Sequence, residues 1–320
     1  MKNVMKSMIA VFIMAVAFVT TGTNAQAAVN QTAQTQNSIT VDWSSSAKEY
    51  ATAYYIGYGE DSTTARTMAE AKTITLPATT TSYTITGLKP GTEYYVCVYS
   101  TYKYSASGTE YTNSIGSCYD SVTLPSKVTG LNQTKWWYWA LSVDFGWDEQ
   151  SAARYEAVVM NNKGKKLKTI DCYSNKTSYS KVKNNTMYKV KVRAYVEING
   201  QKYYGDYSDV AYMFTQPMLK TAKISNGKLK ITWGKISGVS SYDVYVSTKE
   251  KKGYKKVKSL KSSKTSLTVS KLKGKKFNSK KKYYVYIVAK KKVGKKTYTS
   301  GKHYTSTVYK NRPSTNWTFD

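Results

Sequence analysis

In 320 residues the sequence holds one histidine, five prolines, three cysteines and six phenylalanines. A single imidazole, His303, cannot build a histidine-rich metal site, and its place near a predicted edge or loop reads as surface. No phosphate-cradling glycine loop, zinc spacing or calcium-loop pattern is present. Carboxylates are scarce, 19 against 49 basic side chains. Asp148-Glu149 is the kind of acidic pair available, but nothing sets two carboxylates across a cleft as glycoside hydrolysis requires. There is no Arg-Gly-Asp tripeptide. These absences predict a non-enzymatic chain with no catalytic residues, no metal and no cofactor. Long helical periodicity is also missing, and no apolar run follows the first twenty residues.

What is present starts with an export signal. Lys2 and Lys6 precede an apolar run, Met8 to Val19, too short to cross a bilayer. Ala25-Gln26-Ala27 then fits a small-x-small cleavage site. No cysteine lies there to carry a lipid, and the C-terminal NRPSTNWTFD shows neither a sorting motif nor an apolar tail. Residues 1–27 are therefore expected to be a signal peptide. The mature protein is expected to be secreted, with the cell wall as a place of attachment and no transmembrane segment.

The remainder is rich in aromatics, with 31 tyrosines and seven tryptophans. Tyr, Val, Thr, Ile and Trp alternate with polar residues, the period-2 signature of half-buried strands. The class is all-β. One unit recurs three times. The runs GLKPGTEYYVCVYS, KVKNNTMYKVKVRAY and KKKYYVYIVAKKK align Tyr94, Tyr188 and Tyr283 at intervals of 94 and 95 residues. An upstream strand recurs as Ile39-x-Val41-x-Trp43, Leu141-x-Val143-x-Phe145 and Leu229-x-Ile231-x-Trp233. A third match runs through Thr81-Ser82-Tyr83, Thr177-Ser178-Tyr179 and Thr265-Ser266-Leu267. Units of this length with short alternating strands predict sandwiches of about seven strands. The boundaries fall at 28–124, 125–216 and 217–312, with 313–320 as a tail.

On these residues the chain resembles the fibronectin type III domain of secreted Gram-positive bacterial proteins. Trp43 sits where that family packs a core tryptophan. Leu88, Pro90, Thr92 and Tyr94 fit its loop and tyrosine corner. The second unit keeps Val182, Thr186 and Tyr188 but has Asn184 in place of proline, and the third inserts a lysine-rich loop between Leu272 and Tyr283. QKYYGDYSDV (201–210) resembles the last strand of such domains. The resemblance implies fold more than function, because the family serves mostly as spacer and binding module.

Charge points to a partner. Residues 28–124 carry 5 basic and 8 acidic side chains, residues 125–216 carry 14 and 8, and residues 217–320 carry 28 and 3. Strand parity puts two loops of the third unit at one end. One holds Lys249, Lys251, Lys252, Lys255 and Lys256. The other holds Lys273, Lys275, Lys276, Lys280, Lys281 and Lys282. Together they predict a basic pole for an anionic cell-wall polymer, an acidic polysaccharide or lipid headgroups, with another surface protein as the alternative partner; a solubilising charged face is the bland alternative. Nucleic acid is disfavoured, since the lysines are not interleaved with a base-stacking strip.

Two further features are aromatic and redox. KWWYW (135–139) replaces what is a short polar turn in the sibling units. Trp137 and Trp139 are expected to cap the core in phase with Leu141. Trp136 and Tyr138 are expected to face the junction with the third unit, opposite Lys290, Lys291, Lys292, Lys295 and Lys296, as interdomain or ligand contacts. Cys97 and Cys118 stand equally far from a turn at Ser107-Gly108, which predicts a cross-strand disulfide, or a pair poised to form one, unless a one-residue bulge separates them. Cys172 lies seven residues before Tyr179, as Leu76 does before Tyr83, and reads as a small buried hydrophobe. The expected function is cell-surface adhesion or interaction, with a carbohydrate-binding accessory protein or a structural spacer as alternatives.

Overall fold

The computed structural model describes residues 29–103, 108–115, 118–150 and 154–317. The expected signal peptide lies outside them, as does part of the expected Ser107-Gly108 turn. The strands group into three pairs of antiparallel sheets. The first pair uses β1 (Asn30–Gln34), β2 (Ser38–Asp42), β3 (Ala53–Gly59), β4 (Ile74–Pro77), β5 (Ser82–Thr86), β6 (Glu93–Lys103), β7 (Glu110–Ser114) and β8 (Tyr119–Val122). The second uses β9 (Asn132–Trp137), β10 (Ser142–Gly146), β11 (Arg154–Asn161), β12 (Lys166–Cys172), β13 (Lys176–Tyr179), β14 (Met187–Ile198), β15 (Gln201–Tyr204) and β16 (Ala211–Phe214). The third uses β17 (Leu219–Ser225), β18 (Lys228–Trp233), β19 (Ser241–Ser247), β20 (Lys255–Lys261), β21 (Ser266–Val269), β22 (Tyr283–Val293), β23 (Lys296–Thr299), β24 (Tyr304–Tyr309) and β25 (Arg312–Trp317).

Each pair repeats one topology. A three-stranded sheet (β1-β2-β5, β13-β10-β9 or β17-β18-β21) faces a larger sheet built around β3-β6, β11-β14 or β19-β22. Two compact units divide the chain, one holding the first sandwich with residues 196–203, the other holding the second and third sandwiches.

The same tyrosines lock each copy. Tyr94, Tyr188 and Tyr283 accept hydrogen bonds from the backbone N–H five residues upstream, Lys89 at 3.0 Å, Lys183 at 2.8 Å and Asn278 at 3.0 Å. The corner thus survives both Asn184 and the lysine-rich insertion. A second set, Tyr54, Tyr155 and Tyr242, sits on the first long strand of each large sheet, and each hydroxyl accepts from a loop N–H. Their rings pack on Trp43, Trp147 and Trp233 with centroids 5.6, 5.2 and 5.8 Å apart.

That trio corrects the alignment of the second repeat. The N–H groups of Trp43, Trp147 and Trp233 bond the carbonyls of Thr81, Asn175 and Thr265. Trp147, not Phe145, is therefore the counterpart of Trp43, and Val143, not Leu141, that of Ile39. A slip of two residues keeps every side chain on its own face, so alternation in the sequence does not reveal it. Leu141 lies in the β9–β10 turn with φ +46° and is exposed.

Two elements depart from the seven-strand expectation. Pairing continues past residue 312: β25 lies antiparallel to β24, with Tyr309 opposite Arg312 and Tyr304 opposite Trp317. The segment read as a tail is thus mostly strand, turned back at Lys310-Asn311, both with positive φ. In the first sandwich a nine-residue helix, α1 (Ser62–Glu70), interrupts the β3–β4 connection. Asp61 caps it, accepting from the Thr64 N–H at 2.8 Å. α1 buries Ala65 and Ala69 against the large sheet. It gets that close because β3 carries Gly57; a Cβ there would strike the helix backbone at Ala65 and Ala69.

Candidate binding surfaces

The basic pole is built from loops that meet at one end of the third sandwich. Ser247 at the end of β19 pairs with Tyr284 at the start of β22, so the β19–β20 and β21–β22 loops leave the sheet side by side. All eleven lysines predicted for the pole are exposed. Their backbone is held firmly. In the β21–β22 loop, Leu272 and Lys275 exchange two backbone hydrogen bonds around a Lys273-Gly274 turn. Leu272 and Phe277 are buried on either side. The Phe277 N–H bonds the carbonyl of Gly227 in the β17–β18 turn, and Lys276 packs over that glycine. The β19–β20 loop is tied by Ser247, whose hydroxyl donates to Lys252 O at 2.7 Å, and by Tyr254, whose hydroxyl donates to Glu250 O at 2.6 Å.

The β24–β25 turn joins them, since the Lys310 N–H bonds Ser279 O and Asn311 Oδ1 accepts from the Ile224 N–H at 2.6 Å. It adds Lys310 and Arg312, residues that strand parity passed over because the last hairpin was read as a tail.

One predicted pole lysine has a second task. Asp243, on β19, is buried, with Lys290 Nζ at 2.5 Å, Lys256 Nζ at 3.7 Å and the Ser259 hydroxyl donating at 2.7 Å. Burial alone would push this carboxyl up; the bonds from Lys290 and Ser259 and the nearby lysine charges outweigh it and hold the group below its ordinary value. Beside it, Tyr245 and Tyr286 stack across β19 and β22 at 4.6 Å and 9°, with Tyr254 edge-on to Tyr286 at 4.8 Å. Burial raises the Tyr254 and Tyr286 phenols to about 12. Lys302 stands 5.0 Å from the Tyr254 ring. No sequence signal separated this group from ordinary strand alternation.

The KWWYW segment divides differently from its expectation. Trp136 pairs with Val143 and is buried in the second core, where it also packs on Tyr304 of the third sandwich at 5.4 Å and on Tyr138 at 5.8 Å. It is an interdomain contact, and its burial leaves no face for a ligand. Tyr138 is half-buried in the same contact, 6.4 Å from Tyr304. Trp137 lies on the outer sheet face and Trp139 is 67% exposed. The expected core capping by these two is therefore overturned. The turn at Tyr138–Leu141 breaks the alternation that continues from Val143.

The residues facing Trp136 are His303 and Tyr304, not the expected lysines. His303 is half-buried 6.4 Å from Trp136, so it is not a plain surface residue. Lys291, on β22, lies instead over Tyr212 at 5.6 Å. Gln216 fastens this joint. It is fully buried, accepts from the His303 and Tyr304 N–H groups at 2.8 and 3.2 Å, and donates to Tyr304 O at 3.0 Å. The Tyr304 hydroxyl donates to Pro217 O at 2.7 Å, and burial drives its pKa well upward.

Cys97 and Cys118 form a disulfide. A single hairpin register does not produce that pairing. Near the turn, β6 pairs with β7 in the register of Tyr99 with Ser114. Beyond it, β6 pairs with β8 as Val96 with Tyr119. The two ladders are two residues out of step, and only the second sets the cysteines opposite each other. Cys97 faces outward from the sandwich core, yet it is buried beneath α1 with Ala65 and Ala69. Cys172 is buried opposite Tyr155, where the siblings place Leu76 and Leu260; burial pushes its thiol up, which suits packing rather than nucleophilic chemistry.

Among the described residues no helix is long and apolar enough to cross a membrane, and no group of three or more His, Cys, Asp or Glu side chains is placed to hold a metal ion. No curated protein matches the sequence. Among solved structures the chain is similar to the FN1–FN3 domains of chicken CNTN1, at 12% identity over 91% of this chain and 97% of that chain, with a TM-score of 0.29. The chain is all-β, a series of fibronectin type III-like sandwiches, and its residues 26–115 match the family described as Fibronectin type III domain.

Proposed function

We propose that the chain is a secreted, non-enzymatic adhesion protein that holds an anionic surface polymer at the basic pole of its third sandwich. The observation that carries this reading is the convergence of eleven exposed lysines at one end of the sandwich, nine on two adjoining, well-anchored loops and Lys255 and Lys256 at the start of β20, in a segment with only three acidic residues. Of those three, Asp243 is buried and already neutralised by Lys290. Such a concentration of one sign attracts a polyanion over a range set by ionic strength. The polymer is a cell-wall polyanion or acidic polysaccharide, and the first sandwich, with net charge −3 over residues 28–124, stays free for another surface protein.

The test is retention on washed Gram-positive cell walls at low and high salt. Changing the six lysines of residues 273–282 to glutamine should weaken low-salt binding by at least about tenfold, at a few tenths of a kcal/mol for each exposed pair. Binding that is unaltered by those changes and insensitive to salt would falsify the reading. The spacer alternative draws on the buried Gln216–Tyr304 joint, which fixes two sandwiches to each other without offering a ligand surface.

A further inference from the structure

We infer that the tip of the β9–β10 hairpin is a sugar-binding platform centred on Trp139, separate from the basic pole. The sibling turns at this position are short and polar, Thr35-Gln36-Asn37 and Asn226-Gly227. Here the chain places Trp139, Ala140 and Leu141 in solvent, with Trp139 67% and Leu141 41% exposed. Leu141 adopts a left-handed backbone, φ +46°, that an L residue with a branched side chain disfavours. Neither the core nor the joint with the third sandwich gains from these exposures, because Trp136 and Tyr138 already fill both.

The indole is also held in place. Trp137 donates from Nε1 to Asp144 Oδ2 at 2.6 Å, and Lys135 Nζ lies 3.9 Å from the centre of its ring. Trp139 then meets Trp137 at 5.7 Å and 71°. Trp137 is thus a brace and Trp139 a platform at a fixed angle. Ordering a ring before the ligand arrives lowers the cost of binding.

The surroundings define the ligand. The exposed apolar side chains of the tip are Trp139, Ala140 and Leu141, with a single aromatic ring system among them, and the neighbouring side chains of the hairpin and its adjoining strand and loop are polar: Lys135 and Asp144 on the same sheet face, Ser178 opposite Asp144, and Lys181 and Lys183 on the loop that bonds Leu141 O through the Val182 N–H. A pyranose in the chair form has this pattern inverted, with C–H groups on one face and hydroxyls around the edge. Stacking on Trp139 would bury the C–H face, and the carboxylate and ammonium groups would meet the hydroxyls. A protein partner of ordinary size would want a broader apolar centre than this tip supplies.

The experiment titrates the full chain, lacking residues 1–27, with the β-1,4-linked hexamers of glucose and of N-acetylglucosamine, followed by tryptophan fluorescence and calorimetry. We expect saturable binding of at least one hexamer. Trp139→Ala should weaken it at least tenfold and Trp137→Ala should weaken it too, while Trp139→Phe retains part of it. Glutamine at the six lysines of 273–282 should leave it unchanged, so failure here is distinct from failure of the basic pole. Folding is monitored by circular dichroism, and an exposed position such as Trp139 leaves the core intact. If neither hexamer binds, or if Trp139→Ala binds as well as the parent, the inference is wrong. Loss of self-association, or of binding to phosphatidylglycerol vesicles, in Trp139→Ala without any sugar binding would reassign the tip to a protein or lipid contact and overturn it equally.

Discussion

The first and third sandwiches use one point on the outer sheet face in opposite ways. Three residues beyond the core tyrosine of the long strand stands Gly57 in the first and Tyr245 in the third; their neighbours across the ladder are Cys97 and Tyr286. In the first, the missing side chain admits α1, and Cys97 is buried beneath it with its half-buried partner Cys118 alongside. In the third, two stacked tyrosines fill the space and Asp243 sits beside them, paired with Lys290 and Lys256. The inner faces hardly differ: both keep the Trp–Tyr pair and the tyrosine corner. The scaffold is fixed by its inward residues, and the outward face is free to be closed by apolar packing or by charge.

The comparison can be broken most forcefully at the disulfide. Replacing Cys97 and Cys118 by alanine frees a loop with sequence separation 21 and should cost the first sandwich about 3 kcal/mol. Calorimetry with and without reductant measures it; an unchanged melting temperature would mean that α1 closes the face alone. The next effect is in the third sandwich. Asp243→Ala removes charge-assisted hydrogen bonds from Lys290 and Ser259, at a cost of about 2 kcal/mol. Because the folded carboxyl is held below its ordinary value of about 3.9, its contribution is present above that pH and disappears as pH falls through the lower folded value. Parent and variant stabilities should converge in acid, and a gap that persists there would refute the charge account. The smallest effect is the stack. A double-mutant cycle on Tyr245→Ala and Tyr286→Ala should show coupling of about 1 kcal/mol. With the Tyr286 phenol raised to about 12, stability from this ring is intact below about pH 10 and lost as pH climbs toward 12, which absorbance titration can follow.

The inward residues were legible in the sequence because alternation and repetition both report them: Tyr94, Tyr188 and Tyr283 recur at fixed intervals, and each closes the same corner. What alternation cannot see is a slip of two. It misplaced Leu141 for Val143 and Phe145 for Trp147, and it carried the phase of Trp137 and Trp139 through a turn. The lysine pole was readable because strand parity puts alternate loops at one end, but Lys310 and Arg312 were hidden by an extra hairpin. The outer faces were the least readable. A helix behind Gly57 and a carboxylate buried by lysines depend on contacts across strands that no local pattern encodes.

Gln216 carries one more consequence. Its side chain bonds backbone groups of the third sandwich, while the N–H of nearby Met218 donates to Asn185 Oδ1 of the second. Cutting the chain at residue 216 or 217 would therefore leave buried amides without partners on both fragments. In evolutionary terms the second and third sandwiches form a single transferable cassette: recombination would carry the lysine pole and the tryptophan hairpin together or not at all.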